Sequence, residues 1–561
     1  MGRVLGVASA SRFALVVSVA MALIAAPLRV GASGDPLGHE DRARSLYRVV
    51  VSLDGEGHPV LPLAVLEQQT EVTVDAPRGL RVLGTGDGAV EMRLPPGRGV
   101  TVRAEALKPG RKLFYVGLAR APSGDMATLR AARKQWTDAG LKVRPLTLGT
   151  TYALAGRVLD TRQTVLALDP PEETREGAER RAAALASEHG RDTFVHVVVD
   201  QPPTGTLIVS ATGGAEVRAE DVLWFEALPA EDGSAVPLEV RGKGRKLELP
   251  GRVYVAPGDG GGLVVVNEAR IETILEGVVA SEIFASAPLE ALRSQAVAAR
   301  TDMLAKVGLR HYADPFSICS EVHCQAYKGT SRVNPRIVEA VQSTRGVVLV
   351  GSDGRLVDTF YSASTGGPSE NNENAWRMTA HPNLRGRPDL QPGAPNPLAD
   401  GPTEAAVKAL LDGPDRSWGA ASGRNKAALR WEVTRTATEL LPSLKKYGIP
   451  KRIKAMRVIE RGVSGRIIHM AFTLEDGSER KLWGELRIRR ALKGLRSSLM
   501  LFTPGPAGPD GVPKSWTFRG AGYGHGVGMD QTGAVGRAAK GQSHREILGH
   551  YYHGASIEKL Y

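Results

Sequence analysis

The sequence predicts a multidomain α+β protein, and three observations lead to that prediction. The chain has 561 residues, which is long enough for several domains that each bury their own core. It contains 65 glycines and 35 prolines, so turns are frequent. Short runs of alternating apolar and polar residues, typical of strands, are interspersed with a few stretches of helical periodicity.

The N-terminal 32 residues predict a secretory signal peptide. Arg3 and Arg12 precede an apolar run over residues 13–26, and small residues at 30–32 offer a cleavage site before Ser33. The run is shorter than the roughly 20 apolar residues that a membrane span needs, and no later stretch is long and apolar enough. We therefore expect a mature chain without a transmembrane segment, exported to the periplasm or cell envelope.

The formal net charge of +12 raises the question of a polyanionic partner. No recognised nucleic-acid-binding module or dense Lys/Arg block is evident, the charge is spread along the chain, and an exported protein does not meet chromosomal DNA. These points exclude a nucleic-acid partner and leave the anionic polymers and lipids of the envelope. A basic composition inherited from an arginine-rich proteome is the alternative explanation.

Residues 41–110 predict a small β module. Residues 70–75 alternate in the manner of a strand, and turns follow at 84–88 and 95–97. No residue here suggests chemistry, so a structural or spacer role is expected.

Residues 111–200 predict a ferredoxin-like βαββαβ module. Strand patterns at 113–119, 141–148, 151–168 and 193–199 alternate with helical patterns at 126–139 and 172–189. The element order and the opening Tyr115-Val-Gly-Leu resemble the SPOR domain, which in its family binds peptidoglycan glycan strands stripped of their stem peptides. A ferredoxin-like module with another role is the alternative.

Residues 205–561 predict a mixed α+β domain. It begins with glycine-rich strands, continues with helices at 271–281 and 288–307, and returns to strands beyond residue 347. The segments LEGVVASEI (275–283), PLEALRSQAVAART (288–301), YSASTGG (361–367) and GAGYGHGVGM (520–529) resemble the SpoIID/LytB family (stage II sporulation protein D and amidase enhancer) in content and order.

The resemblance implies an action on peptidoglycan, and it leaves two functions open. The first is lytic transglycosylation of denuded glycan, with Glu282 as the catalytic acid, a chemistry that needs one carboxylate and no cofactor. The alternative is a non-catalytic glycan binder that enhances a peptidoglycan amidase, which would then be a partner. A zinc hydrolase is less favoured because no His-Glu-x-x-His helix is present.

The same motifs supply candidate substrate-binding residues: Arg293, Arg300, Tyr361, Ser364, Gly366, Gly367 and His525. For Arg300 a structural salt bridge is the alternative, and Arg293 stands where the family commonly has lysine. Alternating glycines around His525 would let the backbone approach a ligand closely and let the imidazole project into a cleft. Asp530 stands where the family usually has serine.

The two cysteines, Cys319 and Cys324, leave three alternatives open. A disulfide suits an oxidising compartment. A structural zinc is the second alternative, because His323 and His311 complete a set of four suitable ligands and some family members carry zinc at the similar segment. Free thiols are the third.

Overall fold

The computed structural model describes residues 44–48, 51–84, 91–211, 214, 216–321, 323–376 and 378–561. The predicted signal peptide lies outside these residues. Among the helices that they form, none has the length and apolar character needed to cross a bilayer. The chain is a multidomain α+β protein with several antiparallel sheets, as predicted.

The strands are, in chain order, β1 (Ser52–Leu53), β2 (Pro59–Gln69), β3 (Glu71–Asp75), β4 (Leu80–Gly84), β5 (Glu91–Leu94), β6 (Val100–Lys108), β7 (Arg111–Pro122), β8 (Val143–Leu148), β9 (Thr151–Leu154), β10 (Arg157–Asp160), β11 (Gln163–Leu168), β12 (Phe194–Gln201), β13 (Thr204–Ala211), β14 (Glu216–Glu220), β15 (Leu223–Ala227), β16 (Leu238–Gly242), β17 (Arg245–Leu249), β18 (Arg252–Pro257), β19 (Leu263–Arg270), β20 (Ile318–Cys319), β21 (Val347–Val350), β22 (Tyr361–Ser362), β23 (Arg430–Thr436), β24 (Ile453–Arg461), β25 (Ile467–Leu474), β26 (Glu479–Trp483), β27 (Met500–Pro504), β28 (Ser515–Ala521), β29 (Met529–Asp530) and β30 (Ser556–Lys559). The helices are α1 (Met126–Asp138), α2 (Arg175–His189), α3 (Ile271–Glu282), α4 (Leu289–Ala305), α5 (Pro335–Ser343), α6 (Asn372–Ala375), α7 (Glu404–Asp412), α8 (Trp418–Ala421), α9 (Lys426–Leu429), α10 (Ala437–Lys445), α11 (Glu485–Ala491), α12 (Gln531–Ala539) and α13 (His544–Tyr551).

Two sheets are assembled from strands that lie far apart in the sequence. One has the order β1-β2-β19-β18-β15-β4-β5, with β20 parallel to β2, and the other has the order β14-β13-β6-β3-β16-β17. Residues 41–110, expected as a separate β module, therefore share both sheets with residues 204–270. The reason is that the apolar residues of β2, β3, β4 and β6 are buried in one core with those of the later segment, whose strands also pair with their edges.

Residues 111–201, which lie between β6 and β13 in the sequence, form a separate four-stranded antiparallel sheet with the order β12-β7-β11-β8. Both helices pack against one face of this sheet: α1 buries Leu129 and Trp136 there, and α2 buries Ala182 and Leu185. The predicted strand at 151–168 is in fact three strands, because β9 and β10 form a separate hairpin. Tyr152 of that hairpin donates its hydroxyl to the carbonyl of Leu304, 2.8 Å away at the end of α4.

Helices α3 and α4 lie at the centre of the C-terminal half. Apolar residues at i, i+3 and i+4 along α3 are completely buried, as are most residues of α4, where alanines permit close helix packing. Further along the chain, β24, β25 and β26 form one three-stranded sheet and β23, β28 and β27 another, and they share a core with α10 and α11. A short parallel pair, β22 with β29, brings residues 361–362 beside 529–530 at the N-terminus of α12.

Candidate functional site

Glu282 is the last residue of α3, and its carboxylate is held from two sides. Oε1 accepts a hydrogen bond of 2.9 Å from the backbone N–H of Ala326, and Oε2 lies 3.3 Å from Nε2 of Gln531. Burial raises the pKa of Glu282, and the negative charge of Asp302 adds to that effect, while the two hydrogen bonds oppose it. A carboxyl group with a raised pKa is suited to donate a proton near neutral pH.

Gln531 links Glu282 to a second amide. Its Nε2 lies 3.1 Å from Oε1 of Gln295, a fully buried residue of α4 whose own Nε2 has no hydrogen-bond partner among the described residues. The sequence analysis missed both glutamines. Gln531 lies two residues beyond the glycine-rich motif, and no local pattern in the sequence marks it as a partner of Glu282.

Tyr361 begins a buried polar chain beside Glu282. Its hydroxyl donates to Oε1 of Gln325, and Nε2 of Gln325 donates to Oδ2 of Asp302 at 2.6 Å. Lys306 pairs with the other oxygen of Asp302. Burial raises the pKa of Tyr361 well above its usual value, and the nearby charge of Glu282 adds to that effect. Tyr361 is therefore a neutral hydrogen-bond donor in the site.

His525 is packed among aromatic rings rather than projecting freely. Its ring centroid is 4.6 Å from that of Trp376, and its Nδ1 accepts a 3.0 Å hydrogen bond from the N–H of Val527 and lies 3.3 Å from the hydroxyl of Ser362. Burial and the positive charge of Arg466 lower the pKa of His525 to about 3. The imidazole is therefore neutral, with its proton on Nε2.

The alternating glycines around His525 serve close packing within the protein. A Cβ on Gly526 would lie 2.3 Å from the guanidinium carbon of Arg466, and one on Gly528 would lie 2.0 Å from the carbonyl of Phe360. Arg466 is completely buried and donates 2.9 Å from Nη2 to the carbonyl of Thr365. The expectation that these glycines admit a ligand thus gives way to a packing role against Arg466 and the 360–365 segment.

Ser364, Gly366 and Gly367 belong to a buried turn that Asp530 organises. Oδ2 of Asp530 accepts 2.8 Å hydrogen bonds from the N–H and the hydroxyl of Thr365, and a longer one of 3.4 Å from Ser364. Gly366 and Gly367 both have positive φ, which favours glycine. Burial raises the pKa of Asp530 to about 6. Ser364 is completely buried, so its hydroxyl contacts the turn and not solvent.

The two arginines proposed from the motif lie away from Glu282. Arg300 is completely buried and forms a bidentate ion pair with Glu272, with N–O distances of 2.8 and 2.6 Å. Arg293 is half-buried, contacts Glu290 and donates a 2.9 Å hydrogen bond to Ser343. Neither arginine has a hydrogen bond or ion pair with Glu282 within the part of the chain that the structure describes.

His311, Cys319, His323 and Cys324, the ligand set of the zinc alternative, lie close together. One ligand atom from each of the four lies within 4.8 Å of the others. The cysteines are free, so the alternative disulfide is not formed, and the ring of His323 has its two nitrogens 3.4 and 3.9 Å from the two sulfurs.

The donor set fits a tetrahedral zinc ion. Nε2 of His311 is buried without a hydrogen-bond partner among the described residues, while its Nδ1 lies 2.8 Å from the Asp314 carboxylate, which fixes the ring as carboxylates do behind zinc-bound histidines. A zinc ion here would be structural, because all four positions are protein ligands. The cluster lies two residues before Ala326, whose N–H holds Glu282.

Two family models match parts of this chain. Residues 259–350 match the model described as stage II sporulation protein, SpoIID, and residues 370–528 match one described as a domain of unknown function, DUF8618. Both segments lie C-terminal to residues 111–200, so neither bears out the predicted resemblance of those residues to the SPOR domain.

Two curated relatives are similar to about half of the chain. An uncharacterized protein of Brachyspira hyodysenteriae is 28% identical over 296 residues, covering 53% of this chain and 68% of that protein. A Bacillus subtilis protein named amidase enhancer is 29% identical over 303 residues, covering 50% of this chain but 40% of that protein. Glu282 and the cysteine–histidine cluster thus lie within residues 259–350, the part of the chain that matches the SpoIID family model.

Proposed function

We propose that this protein is a peptidoglycan lytic transglycosylase of the cell envelope that cleaves denuded glycan strands, with Glu282 as its single acid–base group. The observation that carries the proposal is the setting of Glu282: one carboxyl group of raised pKa at the end of a buried helix, oriented by Ala326 and Gln531. The SpoIID family match over the same residues supports a role in the cell wall.

The reaction needs one carboxyl group, and Glu282 can take both of its proton-transfer steps. Its acid form protonates the glycosidic oxygen as the bond to C1 breaks. The resulting carboxylate then accepts the proton of the sugar's own 6-hydroxyl as O6 bonds to C1, which yields a 1,6-anhydro end and consumes no water. Oε2, with its long 3.3 Å contact to Gln531, is the oxygen better placed to carry the proton, since Ala326 occupies Oε1.

A mechanism with two carboxylates has less support. A retaining hydrolase needs a second carboxylate about 5 Å from the first and open to the sugar. Asp302, the acid whose charge affects Glu282, is almost completely buried and is bound by Lys306 and Gln325. It is therefore not free to act as a nucleophile.

The test is a comparison of Glu282→Gln with Glu276→Gln. Both glutamates are on α3 and both accept a hydrogen bond from a glutamine, Gln531 for Glu282 and Gln342 for Glu276. We expect Glu282→Gln to lower the release of anhydro-ended fragments from amidase-treated sacculi by about 10²–10⁴-fold, and Glu276→Gln to leave it near wild type. Release by Glu282→Gln at the wild-type rate would refute the mechanism.

A second candidate function is enhancement of an amidase without cleavage, which the name of the Bacillus subtilis relative favours. It predicts that the wild-type protein releases no anhydro ends but accelerates a peptidoglycan amidase on intact sacculi. In that case Glu282→Gln would leave the acceleration unchanged.

The proposal includes a structural zinc held by His311, Cys319, His323 and Cys324.

The proposal also includes a glycan-binding role for residues 111–201. The strand order β12-β7-β11-β8 supports a ferredoxin-like, SPOR-like module, whose face opposite the two helices carries Tyr115 and Phe194. We expect Phe194→Ala in the full chain to reduce co-sedimentation with denuded glycan. Unchanged co-sedimentation would leave the module with a structural role.

A further inference from the structure

The positive charge of this protein is concentrated in one segment and not spread along the chain as expected. Residues 424–496 contain 19 Lys and Arg against 7 Asp and Glu, a net charge of +12 that equals the +12 of the whole chain. The rest of the sequence is balanced, with 53 residues of each sign. This segment lies entirely within the DUF8618 match.

One end of the basic segment lies beside Glu282. The guanidinium of Arg424 stacks on the ring of Phe284 at 4.5 Å, and Phe284 is two residues beyond Glu282. Arg496 donates to the carbonyl of Ala427, and its own carbonyl accepts a 2.9 Å hydrogen bond from the N–H of Gly524. Arg424 and Arg496, together with the exposed Lys426 that adjoins Ala427 in the sequence, are therefore the cations of this end of the basic segment, which we call the rim.

Carboxylates are missing from the segments that build this rim. Residues 283–289, 416–431, 493–509 and 511–529 contain no Asp or Glu. No ion pair involves Arg424, Lys426 or Arg496 among the described residues, although Arg430 and Arg452 in the same basic segment are paired with acids. The rim thus presents charge that the protein itself does not neutralise, and a bound anion would do so.

Two exposed aromatic rings complete the rim. Phe284 is 37% exposed and Tyr523, next to Gly524, is 49% exposed. Flat aromatic faces beside a cation suit a sugar ring that carries an acidic substituent better than they suit a lipid headgroup.

We propose that Arg424 and Lys426 bind the lactyl carboxylate of N-acetylmuramic acid in glycan strands that have lost their stem peptides. In an intact strand this carboxyl group is in an amide bond to the peptide and is neutral, whereas amidase hydrolysis leaves a free carboxylate. The two cations therefore distinguish denuded from intact strands beside Glu282. The inference rests on the proposed function for its substrate class, and it assigns a role to the basic segment.

The test measures binding separately from cleavage, in the full chain with Glu282→Gln. Arg424→Gln/Lys426→Gln is compared with Lys445→Gln/Lys446→Gln, which removes two exposed lysines of the same basic segment that also have no ion pair among the described residues. Each pair lowers the net charge by the same amount. Dissociation constants are measured for soluble denuded glycan and for glycan with intact stem peptides, at low and moderate salt.

We expect the rim variant to bind denuded glycan about 3- to 10-fold more weakly, to bind intact glycan as before, and to lose the preference between them. The control variant should keep the preference. Equal losses in both variants would refute the proposal in favour of non-specific charge attraction. A rim variant that keeps the wild-type preference for denuded over intact glycan would also refute it. Binding to phosphatidylglycerol vesicles is measured in parallel, and a rim variant that is weakened only in this binding would refute the proposal as well. These outcomes do not depend on whether the wild-type protein releases anhydro ends.

Discussion

Replacing Arg300 by methionine should destabilise the fold without impairing the chemistry of the folded molecules. The change leaves Glu272 as a buried carboxylate whose remaining hydrogen bonds, among the described residues, come from the Tyr561 hydroxyl at 2.7 Å and the Gly346 N–H at 3.3 Å. Breaking a buried ion pair in this way costs about 3–5 kcal/mol. For a cooperative unit the size of residues 205–561, with an unfolding entropy of about 2.1 cal/mol/K per residue, that cost corresponds to a fall in Tm of about 4–7 °C.

The assay is thermal unfolding followed by circular dichroism, together with glycan cleavage measured well below both transitions. The double variant Glu272→Gln/Arg300→Met should be more stable than Arg300→Met, because it removes the unpaired charge. Arg293→Met, whose pair with Glu290 is half-exposed, should cost at most about 1 kcal/mol. An Arg300→Met protein with the wild-type Tm and no cleavage would refute this reasoning and place Arg300 in the substrate site.

Two further predictions concern the site. Burial raises the pKa of Glu282, and its acid form must donate the first proton, so the cleavage rate should fall as pH rises through that raised pKa. A cleavage rate that instead rises with pH through that range would contradict the assignment. His525, whose pKa is lowered to about 3, should add no step to the profile, and His525→Gln should leave the shape of the profile unchanged. Metal analysis of the purified protein should find about one zinc per chain, and two free thiols without metal would contradict this. Cys324→Ser should lose the zinc. It should also lose most of the cleavage activity, because Ala326, whose N–H holds Glu282, would be less firmly positioned.

Local patterns in the sequence were sufficient for the helices that carry the site. Helical patterns over residues 271–281 and 288–307 predicted α3 and α4 to within a few residues of their observed bounds. For the two cysteines the sequence left three alternatives open, and the ligand set of one of them, the zinc site, lies close together in the structure. In each case the pattern involves residues that are close together in the sequence, so it can be recognised without knowledge of the fold.

Contacts between distant residues could not be predicted from the sequence. Gln531 reaches Glu282 across 249 positions, and no local pattern distinguishes it from other glutamines of the chain. Nothing in the sequence indicates that Gly522 and Gly526 pack against the guanidinium of Arg466. The alternating glycines were therefore interpreted as a ligand-binding feature. Strand pairing between 59–69 and 263–270 likewise depends on which apolar faces remain uncovered after the rest of the chain has folded.

The interleaving of the two large sheets has a consequence for the order in which the chain folds. Strands β2, β3, β4 and β6 are synthesised roughly 100 residues or more before their partners in 204–270, so the edges that those partners occupy, and the apolar residues beside them, stay uncovered during that interval. Residues 111–201, whose strands pair only with one another, can fold meanwhile. Fragments that end before residue 270 should therefore aggregate, and the unpaired strands should need a chaperone until the later strands have been synthesised.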